Sequence, residues 1–154
     1  MAMIDVSVGD TVRFAKTVSE SDVYLYAGIT GDFSSNHVND EVMRRSPYGQ
    51  RIAHGALVIG FFSTASTMVT ERSLARGVES TPVSLGYDRI RFLAPVFFGD
   101  TVTVTYTISA IELDRQRTRG SIEARNQRGE LVAVGEHILK WVPNASAGQG
   151  TLTA

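Results

Sequence analysis

The chain has 154 residues, 43% of them hydrophobic, and a formal net charge of −1 from 15 basic and 16 acidic side chains. That length fits one domain with a core large enough to need no covalent staples. The absence of cysteine excludes a disulfide framework, a thiolate metal site and a cysteine nucleophile, and the balanced charge gives no footprint for nucleic acid or an acidic membrane surface.

The N-terminus lacks the charged start and apolar run of a signal peptide, so the expected location is the cytoplasm. Val8 to Val12 reads as a turn entering a short strand, Thr11 to Val18. Ser19-Glu20-Ser21-Asp22 supplies N-cap chemistry for a helix from Ser21 to Ala27 that stops near Gly28. Gly31 to Gln50 is polar and rich in turn formers, with at most one helical turn from Asp40 to Arg45. A loop that long in a small domain usually has a task.

An apolar helix follows, from Gly55 to Ser73, with Val58, Phe61, Phe62, Ala65, Met68 and Val69 at helical spacing. Ser63, Thr64, Ser66 and Thr67 interrupt its apolar run, which suits a buried helix rather than a membrane span. Four strand-like segments complete the domain: Val83 to Val96, Thr101 to Leu113, Arg117 to Asn126 and Leu131 to Val142. A helix apolar on most sides needs cover all round, and a sheet curling about it would provide that cover. The expected class is α+β, a long helix with four or five antiparallel strands. The expected domain is 1–142, and the small polar segment 143–154 is expected to be a disordered tail.

Three segments carry candidate chemistry. In the first, Gly31-Asp32-Phe33-Ser34-Ser35-Asn36-His37, a carboxylate and an imidazole lie five positions apart. A turn at Ser34-Ser35 would let them share a water and move protons near neutral pH. Equally, Asp32 could cap a turn and His37 pack locally. In the second, His54-Gly55 opens the apolar helix, whose free amides could stabilise a carbonyl oxygen gaining charge; Gly55 could instead serve packing alone. In the third, Arg89-Ile90-Arg91-Phe92-Leu93-Ala94-Pro95-Val96 precedes Gly99-Asp100. Strict alternation puts Arg89 and Arg91 on one face, either solvated or near a phosphate-bearing ligand.

In order and spacing these segments resemble the MaoC-like dehydratases, also called R-specific enoyl-CoA hydratases or hydratase 2. The family hallmark is G-D-x-N-P-(aliphatic)-H, then H-G at a buried helix, then R-F-x-x-P-V-x-x-G-D. Gly31-Asp32, His37, His54-Gly55, Arg91-Phe92, Pro95-Val96 and Gly99-Asp100 match it, over residues 8 to 142. Ser34-Ser35 replace the usual Asn-Pro, and Asn36 stands where an aliphatic residue is common.

The resemblance implies a single hot-dog fold, a long central helix wrapped by a curved antiparallel sheet, paired into a homodimer or higher homo-oligomer through edge strands. It implies reversible hydration of trans-2-enoyl-CoA to (R)-3-hydroxyacyl-CoA. Asp32 would be the base, His37 would hold the water and deliver a proton, and the Gly55 amide would bind the thioester oxygen. Asn36, His54, Arg89 and Arg91 would contact the substrate. Coenzyme A enters as part of the substrate, and neither a metal nor another cofactor is expected. A hot-dog thioesterase and a non-catalytic acyl-CoA-binding subunit are the alternatives.

Overall fold

The computed structural model describes residues 3–145. Strand β1 (Thr11–Thr17) leads to helix α1 (Glu20–Thr30). Ser19 caps α1 with a capping box: its hydroxyl accepts from the Asp22 amide, and the Asp22 carboxylate accepts from the Ser19 amide. The helix runs three residues past the expected end. Gly31, with φ of 81°, terminates it in the left-handed conformation. Two four-residue helical turns follow, α2 (Ser35–Val38) and α3 (Asp40–Met43), in the stretch expected to hold at most one. Helix α4 (Gly55–Ala75) comes next, then strands β2 (Ser80–Phe92), β3 (Thr101–Glu112), β4 (Arg117–Arg125) and β5 (Leu131–Pro143). The five strands form one antiparallel sheet in the order β1-β3-β4-β5-β2.

Alternation explains why the sheet has an inside. Along β3, Val102, Val104, Tyr106 and Ile108 are fully buried while the intervening threonines face outward. Phe62 and Ala65 of α4, both fully buried, pack into the same core as the inner residues of β3 and β4. Burying one Val or Phe side chain contributes roughly 1.5–3 kcal/mol, so this shared face is the main source of cohesion. The cover is incomplete, contrary to the sequence-based expectation. Gly60, Ser63, Thr64, Thr67 and Glu71 form an exposed strip along α4. The same small polar residues that interrupt its apolar run allow that side to face water. No helix among the described residues is long and apolar enough to cross a membrane.

Strand β2 departs most from its expected pattern. It begins three residues earlier, at Ser80, and ends at Phe92 rather than Val96. Two register shifts interrupt its pairing with β5, one between Ser84 and Gly86, the other between Asp88 and Arg91. At the second, Arg89 and Ile90 oppose a single residue, Gly135, and Arg89 adopts a φ of 53°. Leu85 and Phe92 are about half exposed. At the other boundary, Pro143 still pairs with Ser80, and the Asn144 amide donates to Glu79. The first residues of the expected tail therefore belong to the sheet edge, and 146–154 lie outside the described residues.

Under α4 lies a polar knot. His137 is fully buried, its Nε2 2.8 Å from the Ser84 hydroxyl and its Nδ1 3.1 Å from the Tyr106 hydroxyl. Its ring stacks on Tyr87 at 4.6 Å. Gly120 sits beneath Tyr106, and a methyl group there would collide with the phenol ring. Burial pushes the His137 imidazole down to about 4. Its neutral form is thus favoured by folding, and the unfolded chain protonates first as pH falls. The resulting stability is complete above about pH 6.5 and lost progressively toward pH 4, up to about 3 kcal/mol. Urea unfolding of wild type and His137→Gln across that range checks this: the wild type should carry the extra slope. Parallel pH dependences would contradict it.

Candidate active site

The site forms where the 31–54 segment folds back over the start of α4. The α2 turn is the bend that brings Asp32 and His37 together. Asp32 lies just beyond the α1 cap, and its Oδ1 accepts from the Ser34 amide at 3.2 Å. His37 Nδ1 lies 2.8 Å from the Ile52 carbonyl oxygen. A carbonyl can only accept, so Nδ1 carries the proton and donates it. That leaves Nε2 of the neutral ring with a free lone pair. The Ile52 amide in turn donates to the Asn36 carbonyl at 3.0 Å, tying the two segments together.

His54 is 2% exposed and lies behind His37, with the two rings stacked at 3.7 Å. Its Nε2 donates to the Asp32 carbonyl oxygen at 2.9 Å. One carboxylate oxygen of Asp32 and one ring nitrogen from each histidine lie within 4.8 Å of one another. A water accepting and donating at about 2.8 Å per bond spans such a gap. The same donor set has the composition of a two-histidine, one-carboxylate cation site. However, each ring spends one nitrogen on a backbone carbonyl, and the rings lie nearly parallel, 28° apart. Their in-plane lone pairs therefore do not converge on one point, which suits a shared water better than a cation.

Beside this group opens a cavity of about 270 Å³, lined by His37, Tyr48 and Gly55 together with apolar side chains including Val58, Phe92 and Val132. His54 does not cap α4 through its side chain. Among the described residues, no hydrogen bond engages the Gly55 amide, which lies at the positive end of a 21-residue helix. An ideal Cβ on Gly55 would come 2.6–2.8 Å from ring carbons of Phe92. Glycine therefore lets the Phe92 ring lie against the helix start and wall the cavity.

His37 and Gly55 thus line one cavity, and the Asp32 carboxylate meets the His37 ring within 4.8 Å without lining it. Four expected substrate contacts line no part of that cavity. His54 is buried behind His37 and lines no part of the cavity. The Asn36 side chain is exposed, and only its carbonyl joins the site. Arg89 belongs to the β2 bulge, where its guanidinium meets Glu136 at 3.3 Å, away from the cavity. Arg91 hydrogen-bonds the Ile90 carbonyl at 2.7 Å and does not line the cavity either. The bulge defeats the strict alternation that had paired the two arginines. The sequence reading missed Tyr48, the Ile52 carbonyl and the contact of Phe92 with Gly55. Phe92 carried one signal, its place in the R-F segment; a backbone carbonyl carries none.

The MaoC like domain profile matches residues 5–128. The chain belongs to this family. Among relatives, the (R)-specific enoyl-CoA hydratase of Rhodospirillum rubrum is 38% identical over 107 residues, covering 70% of this chain and 69% of that protein. The 3-hydroxybutyryl-CoA dehydratase of Methylorubrum extorquens is 32% identical over 136 residues, covering 88% and 81%. The solved (R)-hydratase from A. caviae involved in PHA biosynthesis superposes with a TM-score of 0.75 at 26% identity, over 88% of this chain and 97% of that one. The MaoC-like chain therefore has the hot-dog architecture, with α4 as its central helix.

The Gly55–Phe92 contact gives a sharp structural test. The Phe92 ring is half exposed and free to turn aside. Gly55→Ala is thus expected to change unfolding free energy by only about 1 kcal/mol, while a crystal structure of the variant shows the ring rotated off the helix start. An unmoved ring would contradict the contact.

Proposed function

We propose that the chain catalyses reversible addition of water to a trans-2-enoyl-CoA, giving an (R)-3-hydroxyacyl-CoA, and so acts as a hydro-lyase. The observation that carries this reading is the meeting of the Asp32 carboxylate and the His37 ring, with His37 and Gly55 both lining a largely apolar cavity. Family membership and the names of the relatives support it.

In hydration, Asp32 accepts a proton from the water held against His37 Nε2 as the water oxygen bonds to C3. The C2–C3 π electrons move toward the thioester carbonyl, whose oxygen becomes enolate-like. The Gly55 N–H, which no hydrogen bond engages among the described residues, donates to that oxygen. Donors of this kind are typically worth about 3–4 kcal/mol in the transition state. His37 Nε2, unprotonated, accepts the other O–H of that water and aims its oxygen at C3. The proton taken by Asp32 is delivered to C2, so one water adds across the double bond and Asp32 returns to the carboxylate. The Ile52 carbonyl holds the ring in place throughout. Coenzyme A is a substrate portion, and no step needs a metal or another cofactor.

We further infer that two copies pair edge to edge. Strand β2 is a free sheet edge of 13 residues carrying exposed Val83 and Leu85, which supports that reading. The cytoplasm remains the proposed compartment.

Crotonyl-CoA is the direct probe. Wild type should abolish the enoyl-thioester absorbance without releasing free thiol. Asp32→Asn and His37→Gln should each lower kcat by about 10²–10⁴-fold with the fold retained. Thiol release would indicate a thioesterase acting at the carbonyl carbon instead. Binding of crotonyl-CoA without turnover would indicate a non-catalytic subunit.

A further inference from the structure

Arg51 is the most heavily engaged side chain near the site, yet it touches neither the cavity nor the Asp32–His37 pair. It is only 12% exposed. Its Nε donates to Asp40 at 2.8 Å, one terminal nitrogen to the Tyr24 hydroxyl at 2.7 Å, and the other to Glu20 at 2.6 Å. The guanidinium carbon also lies 4.8 Å from the centroid of the Phe98 ring. These partners come from three separate pieces of chain: α1, α3 and the loop between β2 and β3. A planar fork is suited to this geometry, because its donors leave in fixed directions and its faces accept an aromatic ring.

The residue that follows is Ile52, whose carbonyl holds His37 Nδ1–H and whose amide bonds the Asn36 carbonyl. Ile52 also forms a β-bridge with Phe97, next to the Phe98 ring under the guanidinium. The peptide that anchors the imidazole is therefore pinned on one side by Arg51 and on the other by the β2–β3 loop.

We propose that Arg51 is a positioning residue for His37. By clamping the Arg51–Ile52 segment to α1 and α3, it fixes the direction of the Ile52 carbonyl, and that carbonyl fixes the tautomer and aim of the His37 ring. The consequence for turnover rests on the hydratase reading; the consequence for the tautomer does not.

The test uses wild type, Arg51→Gln and Arg51→Lys. Nitrogen-15 NMR of the imidazoles, recorded at a pH where they are neutral and assigned with single histidine variants, reports which His37 nitrogen holds the proton. Crotonyl-CoA kinetics report turnover. In wild type, His37 should be the Nδ1–H tautomer. In Arg51→Gln, Nε2–H should become substantially populated, and kcat should fall about 10- to 100-fold while KM stays within about threefold. Arg51→Lys keeps the charge but not the fork, and should recover only part of kcat. If Arg51→Gln does not fold, Asp40→Asn and Tyr24→Phe each remove one strut and should move the tautomer in the same direction by less.

An unchanged His37 tautomer in folded Arg51→Gln, or in both strut variants, overturns the proposal. So does a loss confined to KM, which would place Arg51 on the substrate. A tautomer shift in a protein that never hydrates crotonyl-CoA upholds the positioning role and overturns the hydratase reading.

Discussion

The hydrogen bond from His37 Nδ1 to the Ile52 carbonyl is where the fold and the chemistry meet. One partner stands on a short turn in the polar segment after α1. The other stands on the extended stretch that leads into α4. Because a carbonyl accepts and never donates, this single contact selects the proton position on the ring and leaves Nε2 available. The His54 ring stacked behind it limits rotation, and the His54 bond to the Asp32 carbonyl keeps the acidic end of the loop in register. The proposed hydration needs all three constraints at once, since a proton relay through one water tolerates little displacement.

The rest of the structure serves to hold that junction beside a helix end. Packing of α4 against the inner face of β3 and β4 fixes where the helix begins, and hence where the Gly55 amide points. Phe92, at the end of β2, then lies across Gly55 because that position has no side chain. The bulge at Arg89 bears on the same site indirectly. It lets Ile90 turn inward over Gly135, 3.4 Å from its ideal Cβ, and resets the alternation of β2 before Phe92. The cavity wall is thus built from a strand irregularity as much as from regular pairing.

Much of this was readable in the sequence, for identifiable reasons. Helix α4 and strands β3, β4 and β5 were placed within a few residues because apolar spacing is a local signal. The meeting of Asp32 and His37 was legible as a possibility, and the α2 turn realises it. Arg89 and Arg91 misled because alternation assumes an uninterrupted strand, and nothing in the local composition announces a bulge with a left-handed arginine. His54 could be located at the helix start but not aimed. Whether an N-cap imidazole faces a cavity or the core depends on what packs behind it, here His37 and Tyr26. The incomplete cover of α4 was implicit in its serines and threonines, which the apolar periodicity outweighed.

The central claim is geometric: a solvent oxygen sits between Asp32 and His37 Nε2 while a carbonyl oxygen rests on the amide of Gly55. A crystal structure with (R)-3-hydroxybutyryl-CoA bound reads both positions together, because the product hydroxyl carries the oxygen that the water supplied. The account predicts that hydroxyl within hydrogen-bonding distance of both Asp32 and His37 Nε2, with the thioester oxygen on the Gly55 N–H. A hydroxyl turned away from either side chain, or a thioester oxygen held elsewhere, would contradict it.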